Sequence, residues 1–235
     1  MSVVDGRLPQ GPSPPTEGGR GTPLWIGITG NIACGKSAVL AMLGEAGAAT
    51  IDADGVYASL VVPGSPLLDR IASEFGRSVM TTDGALDRRA LAGIVFSDPA
   101  ALASLDRIVR PPVVSEILRR AEAAGSKIVA IDAIKLIESG LADRCNEVWV
   151  VRCGPETQLA RLMARNGLDL EGARKRISSQ PPVAMKLARA DRTIDNDGPI
   201  TDTRIQVGTA LGAAIREHEL RHEAQQSAVA ETRKG

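Results

Sequence analysis

Apolar positions along this chain fall into short unbroken runs, separated by longer stretches with helical spacing. Leu24-Trp25-Ile26-Gly27-Ile28-Thr29 is such a run, of a length that suits a buried strand. A Gly-rich turn follows, then a helix from about Lys36 to Glu45 carrying Val39, Leu40 and Leu43 on one side. Ala49-Thr50-Ile51-Asp52 reads as a second strand ended by a carboxylate. The section from about Pro66 to Ala124 is predicted helical, with Leu67, Leu68, Ile71 and Phe75 at helical spacing. Asp98-Pro99 is a good helix start, and Arg110-Pro111-Pro112 is expected to break one helix from the next. Lys127-Ile128-Val129-Ala130-Ile131-Asp132 is a third strand and Glu147-Val148-Trp149-Val150-Val151 a fourth. Gly154-Pro155-Glu156 opens another helix. Residues 161–190 are helical and polar, with breaks at Asn166-Gly167 and Pro181-Pro182. Arg192-Thr193-Ile194-Asp195 is a last short strand, followed by the Asn196-Asp197-Gly198-Pro199 turn and a final helix. Strands alternating with helices predict an α/β fold whose parallel sheet is covered on both faces. No internal repeat is visible.

Composition narrows the class. The 235 residues suffice for a sizeable core, and only 2% of them are aromatic, so Leu, Ile, Val and Ala must build it. That scarcity removes the stacking platforms of single-strand nucleic-acid binders. Lys plus Arg equals Asp plus Glu at 28 each, so no global field draws the chain to nucleic acid or to an anionic membrane. No apolar run approaches a membrane span, and no charged-then-apolar leader pattern opens the chain. Cys34, Cys145 and Cys153 form neither a CxxC pair nor an even framework, which fits a reducing compartment. The expectation is a cytoplasmic protein with neither nucleic acid nor membrane as partner. Residues 1–23 hold ten Gly or Pro and almost no periodic apolar positions, so they are expected to be a disordered extension.

The strongest local signal is Gly30-Asn31-Ile32-Ala33-Cys34-Gly35-Lys36-Ser37, which matches G-x-x-x-x-G-K-[ST] between a predicted strand and a predicted helix. Glycines let such a backbone wrap phosphate oxygens with N–H donors at a helix N-terminus. In that frame Lys36 reaches the β- and γ-phosphates of ATP, and the Ser37 hydroxyl ligates Mg²⁺. Cys34 reads as a small filler, since these positions contribute backbone.

Phosphoryl transfer to a hydroxyl also needs a group that orients and deprotonates the acceptor. His218 and His222 lie in the C-terminal stretch, which leaves a carboxylate. Asp52 and Asp54 stand at the exit of the second strand, on the side where open parallel sheets bind ligands. Asp54 is the expected base and Asp52 its support. The competing reading is that both cap the next helix. Asp132, ending the third strand, reads equally as an aid to Mg²⁺ or as a helix cap. Between 161 and 192, eight basic residues face three acids. Arg161 and Arg165, four apart on one helix face, suit a lid over phosphates. Arg174, Lys175 and Arg176 fit a lid or a solvated surface alike. His218-Glu219-Leu220-Arg221-His222 matches H-E-x-x-H, but its polar flanks offer no third ligand and no cavity for a catalytic zinc, so it reads as part of a solvated amphipathic tail.

From about Leu24 to Ala213 the chain closely resembles the dephospho-CoA kinase family. The motifs that carry this, in order, are Ile26 to Gly30 with Gly35-Lys36-Ser37, Ile51-Asp52-Ala53-Asp54, Pro63-Gly64-Ser65-Pro66, Asp83-Gly84-Ala85-Leu86-Asp87-Arg88 and Val95-Phe96-Ser97-Asp98-Pro99. Glu138-Ser139-Gly140-Leu141, Gln158 through Arg165 and Ile194-Asp195-Asn196 complete the series. The resemblance implies phosphorylation of the ribose 3′-hydroxyl of dephospho-CoA by MgATP, the last step of coenzyme A synthesis. It implies a three-layer P-loop α/β/α fold over 24–215, with core segments 24–60, 126–154 and 191–215, a helical CoA-binding insertion at 61–125 and a lid at 155–190, before a polar tail at 216–235. It makes Asp54 the catalytic carboxylate, assisted by Lys36 and by Arg161 and Arg165 of the lid, and places Asn196 near the adenine. The family usually has Gly-Gly-Ile-Gly-Ser-Gly-Lys-Ser-Thr at the loop, so Ala33 and Cys34 replace a glycine and a serine. A usual His-Pro pair is Arg110-Pro111, and a usual Val-Pro-Leu-Leu-Phe-Glu is Ala133-Ile134-Lys135-Leu136-Ile137-Glu138. The alternatives are a P-loop kinase for another small hydroxyl acceptor, such as a nucleoside, and a nucleotide-binding switch with no acceptor. The absence of Asn-Lys-x-Asp counts against a GTPase.

Overall fold

A computed structural model describes residues 22–232. Most of the extension expected at 1–23, and the end of the tail beyond 232, lie outside them. Strand β1 (Leu24–Thr29) leads through the Gly-rich loop into α1 (Lys36–Glu45) and then β2 (Ala49–Asp52). Helices α2 (Ala53–Leu60), α3 (Pro66–Phe75), α4 (Arg88–Val95) and α5 (Pro99–Ala123) follow. The chain then returns through β3 (Ile128–Asp132), β4 (Glu147–Arg152), α6 (Pro155–Asn166), α7 (Leu170–Ser178), α8 (Val183–Leu187), β5 (Arg192–Asp195) and α9 (Ile200–Thr232).

The strands form one sheet in the order β2-β3-β1-β4-β5, parallel throughout. Parallel neighbours need crossovers, and the helices that supply them bury the sheet, which is why β1 is buried at all six positions. Alternate residues serve opposite faces. Ile26 and Ile28 join Val39, Met42 and Leu43 of α1 and Val207, Leu211 and Ala214 of α9 in one cluster. Gly27 points the other way, where an added Cβ would stand 2.7 Å from Leu136. The topology puts β1 at the centre with β3 on one side and β4 on the other. The crossover from β1 to β2 runs to one side and that from β3 to β4 to the other, so a crevice opens at the carboxyl ends of β1 and β3.

The fold divides into two compact units, 57–115 and a larger one formed by 23–56 with 116 onward. The smaller has its own core of Val61, Leu67, Leu68, Ile71, Val79, Leu91, Val95 and Ile108. Its helices start on caps legible in the sequence: Ser65 Oγ accepts from Leu68 N at 3.3 Å, and Asp87 Oδ1 accepts from Arg89 N and Ala90 N, both at 2.9 Å. Asp98 likewise accepts from Ala100 N at 2.8 Å and opens α5.

One expectation fails here. Arg110-Pro111-Pro112 does not separate two helices, because α5 runs unbroken from Pro99 to Ala123 through both prolines. Each proline costs one main-chain donor and crowds the carbonyl four residues back, but its φ is already helical. With buried Ile108 before the pair and buried Ile117 and Ala121 after it, packing along 25 residues outweighs two lost bonds. The polar stretch from 216 also continues α9 through Thr232.

Candidate active site

The phosphate loop leaves β1 at Thr29 and enters α1 at Lys36. Two of its glycines are required by space. At Gly30 (φ 150°) a Cβ would stand 2.2 Å from the Val151 carbonyl oxygen on β4, and at Gly35 (φ 93°) it would stand 1.9 Å from Asn196 Nδ2. Ala33 also adopts a left-handed conformation, with φ 61°. Gly35 provides no side-chain cap for α1, and a helix N-terminus without one is suited to an anion. Lys36 is buried and Ser37 is exposed.

Three carboxylates gather at the carboxyl edge of the sheet. Asp52 is a helix cap: Oδ1 accepts from Asp54 N at 3.0 Å and Oδ2 from Gly55 N at 3.2 Å. That leaves Asp54, in the first turn of α2, with a solvent-facing side chain. Its carboxyl is held above the ordinary value by partial burial and then by Asp52, while Lys36 pulls it down. Asp132 ends β3 in register with Asp52 on β2 and Ile28 on β1. No helix begins at Asp132, which removes the cap reading. The residue is 7% exposed, and its Oδ1 has no hydrogen-bond partner. Burial, reinforced by Asp52 and Asp54 and opposed by Lys36, pushes its carboxyl up to about 6. Lys36 is lowered by burial and again by Lys186, while Asp132, Cys34 and Asp54 hold it up.

The 155–190 segment reaches the loop through particular side chains. Arg161 Nη1 donates to the Asn196 carbonyl at 2.8 Å. Gln158 Nε2 donates to the Ile32 carbonyl and Gln180 Oε1 accepts from Ile32 N, each at 2.8 Å. Asn31 Nδ2 donates to the Pro181 carbonyl at 3.3 Å. Lys186 is 3% exposed and donates to the Ile134 carbonyl at 2.6 Å, with Glu138 Oε1 at 3.3 Å and Thr29 Oγ1 at 3.4 Å. Arg165 is not at the loop; it is exposed and bonds Asn166 Oδ1 at 3.0 Å. Asn196 is buried beside the loop. Its Nδ2 donates to the Cys34 carbonyl and its Oδ1 accepts from Thr203 Oγ1, both at 2.9 Å, so both ends of the amide brace the loop. Gln158, Gln180 and Lys186 are the contacts that sequence reasoning missed. Two carry no charge to flag them, and Lys186 was one cation among eight. At the far end of the chain, Gln226 Nε2 lies 3.1 Å from His222 Nδ1.

A phosphate-wrapping loop on the central strand of a parallel sheet, followed by a buried lysine and faced by carboxylates, defines a P-loop kinase of the α/β class. The family model for dephospho-CoA kinase matches residues 24–202, and the chain belongs to the dephospho-CoA kinase family. It is 49% identical over 192 residues to dephospho-CoA kinase of Symbiobacterium thermophilum, covering 80% of each chain. The enzyme of Syntrophotalea carbinolica is 46% identical over 196 residues, covering 82% of this chain and 92% of that one. A solved structure from Thermus thermophilus superposes with a TM-score of 0.72 at 32% identity, over 81% of this chain and 97% of that one. Dephospho-CoA kinase from Campylobacter jejuni superposes with a TM-score of 0.59 at 26% identity, over 80% and 95%.

Proposed function

We propose that this kinase moves the γ-phosphoryl group of ATP onto the ribose 3′-hydroxyl of dephospho-CoA, releasing CoA and ADP as the last step of CoA synthesis. The observation that carries this is the buried Lys36 of the phosphate loop with the solvent-facing Asp54 within electrostatic reach of it, in a stretch that belongs to this family. The loop amides from Gly30 to Ser37 and the Lys36 ammonium take the triphosphate. Asp54 accepts the hydrogen bond of the incoming hydroxyl and removes its proton as the oxygen bonds to phosphorus. A carboxyl held above its ordinary value is better suited to that task than an unperturbed one. Arg161 neutralises charge that develops on the transferred group. Arg165, one turn further along α6, joins only when the 155–190 lid closes. Asn196 acts on the nucleotide through the loop that it braces.

The residues fit Mg²⁺: the unpartnered, buried Asp132 Oδ1 and the exposed Ser37 hydroxyl supply oxygen ligands, and Mg²⁺ favours one or two carboxylates completed by phosphate and water. When bound, the ion neutralises the β- and γ-phosphate oxygens. The helical part, 61–125, is the proposed holder of the acceptor's unreacting length. A cavity of about 540 Å³ there is lined by Asp69, Ser73, Arg77 and Thr81, among others, which offers a cation and hydroxyls to a phosphorylated chain. Among the described residues no helix is long and apolar enough to cross a membrane. A cytoplasmic enzyme whose partners are small molecules, with neither nucleic acid nor membrane among them, is the reading proposed.

Incubation with MgATP and separate acceptors tests the assignment. ADP release and phosphate transfer should occur with dephospho-CoA. Release with a nucleoside instead, or release indifferent to any acceptor, would overturn it.

A further inference from the structure

Cys34 and Cys153 lie 119 residues apart in sequence, yet their sulfurs stand 3.4 Å from one another, and both are free thiols. Cys34 is buried in the phosphate loop, while Cys153 follows β4 directly and is half-buried, so the pair meets solvent through Cys153. A disulfide bond is about 2.05 Å long, so a relative movement of about 1.4 Å would join them. The family's usual loop has serine at position 34 and no such chemistry. Cys34 packs in the apolar cluster of β1 and α1 with Cys153 against it; Lys36 is the charged neighbour of Cys34, and Arg161 and Asp197 are those of Cys153.

We propose that Cys34 and Cys153 form a reversible redox site, which a two-electron oxidant of the hydroperoxide class closes into a disulfide that ties the phosphate loop to the end of β4 and blocks productive ATP binding. The proposal rests on the phosphate-loop reading above. In the first step the sulfur of Cys153, the thiol that meets solvent, attacks a peroxide oxygen, the O–O bond breaks, and the departing hydroxide takes up the thiol proton as water. In the second, Cys34 sulfur attacks the resulting sulfenic acid, the S–S bond forms, the S–O bond breaks, and hydroxide leaves with the Cys34 proton as a second water. Two thiols and one peroxide thus give one disulfide and two waters. The loop cannot absorb the movement silently. The Cys34 carbonyl is held by Asn196, and Gly35 and Lys36 follow immediately, so the displacement passes to the donors that position the phosphates. Misplacement by about 1 Å costs on the order of a hundredfold in rate. Burial, then Cys34, pushes the Cys153 thiol up to about 12, so closure near neutral pH is slow and quickens as pH rises.

The test treats the full, reduced chain with hydrogen peroxide, with and without MgATP, and follows intact mass, free-thiol count, ATP binding and turnover. The expected result is the loss of two hydrogens, a Cys34–Cys153 linked peptide, weaker ATP binding and a roughly hundredfold fall in turnover, all reversed by dithiothreitol. Cys153→Ser should keep basal turnover and resist peroxide, whereas Cys145→Ser should stay sensitive. Inactivation with all three thiols intact, or a Cys153→Ser variant as sensitive as wild type, or a formed disulfide with unchanged ATP binding, would each overturn the proposal. Mass and ATP binding do not depend on the acceptor, so they judge this site even if the acceptor assignment fails.

Discussion

At the scale of single residues, the phosphate loop carries an identifiable strain. Ala33 sits at φ 61°, a conformation in which its Cβ crowds the following carbonyl, and the family's usual loop has glycine there. Left-handed backbone costs a non-glycine residue about 1–2 kcal/mol, and glycine's greater freedom in the unfolded chain returns part of that. Ala33→Gly is therefore expected to raise stability by roughly 1 kcal/mol, visible as a higher Tm, with ATP affinity kept or improved. A lower Tm would show that the alanine methyl makes packing contacts worth more than the strain.

At the scale of elements, the sheet edge between β4 and β5 depends on one buried ion pair. Glu147 is 2% exposed; it accepts from Arg192 Nε and Nη2, both at 2.8 Å, and from Trp149 Nε1 at 2.7 Å. Arg192 also meets Glu217 on α9 at 2.9 Å. Burial alone would raise the Glu147 carboxyl, but the Arg192 and Trp149 hydrogen bonds outweigh it and the net shift is downward from 4.5. A lowered folded value means the unfolded chain takes the proton first as pH falls. The pair's contribution is thus present above about pH 4.5 and lost below it. Arg192→Met should cost roughly 3 kcal/mol in chemical denaturation at pH 7, because a buried carboxylate loses its partner. The difference from wild type should shrink on acidification below pH 4.5, whereas a pH-independent cost would mean that Arg192 acts by packing alone.

Elements are also where the sequence was most and least legible. β1, α1, β2 and β5 appear at the residues that apolar runs and glycines predicted; β1 is clearest, because burial on both faces writes itself as an unbroken run. The same logic failed at Pro111-Pro112, since local proline chemistry says nothing of the packing that carries α5 through. In the site, Gly30 to Ser37, Asp54 and Arg161 were readable from spacing. Gln158 and Gln180, which bracket Ile32, were not, because a neutral amide in a polar helix leaves no pattern. Asn196 stands out in the motif series, but nothing in the sequence reports that Thr203 and the Cys34 carbonyl claim both ends of its amide.

At the scale of the molecule, a chain with 28 basic and 28 acidic residues concentrates charge where phosphate must be held. Lys36, Lys186 and Arg161 surround the loop, and Asp54 and Asp132 stand opposite. Parallel topology makes this possible by delivering the loop after β1, Asp54 just beyond β2 and Asp132 on β3 to the same edge. The central claim is that Asp54 acts on the acceptor and not on ATP. Asp54→Asn keeps the size and one acceptor oxygen but cannot take a proton. Measured side by side, its ATP dissociation constant should match wild type, while kcat with dephospho-CoA falls by about a hundredfold or more. Turnover within a few-fold of wild type would contradict the account.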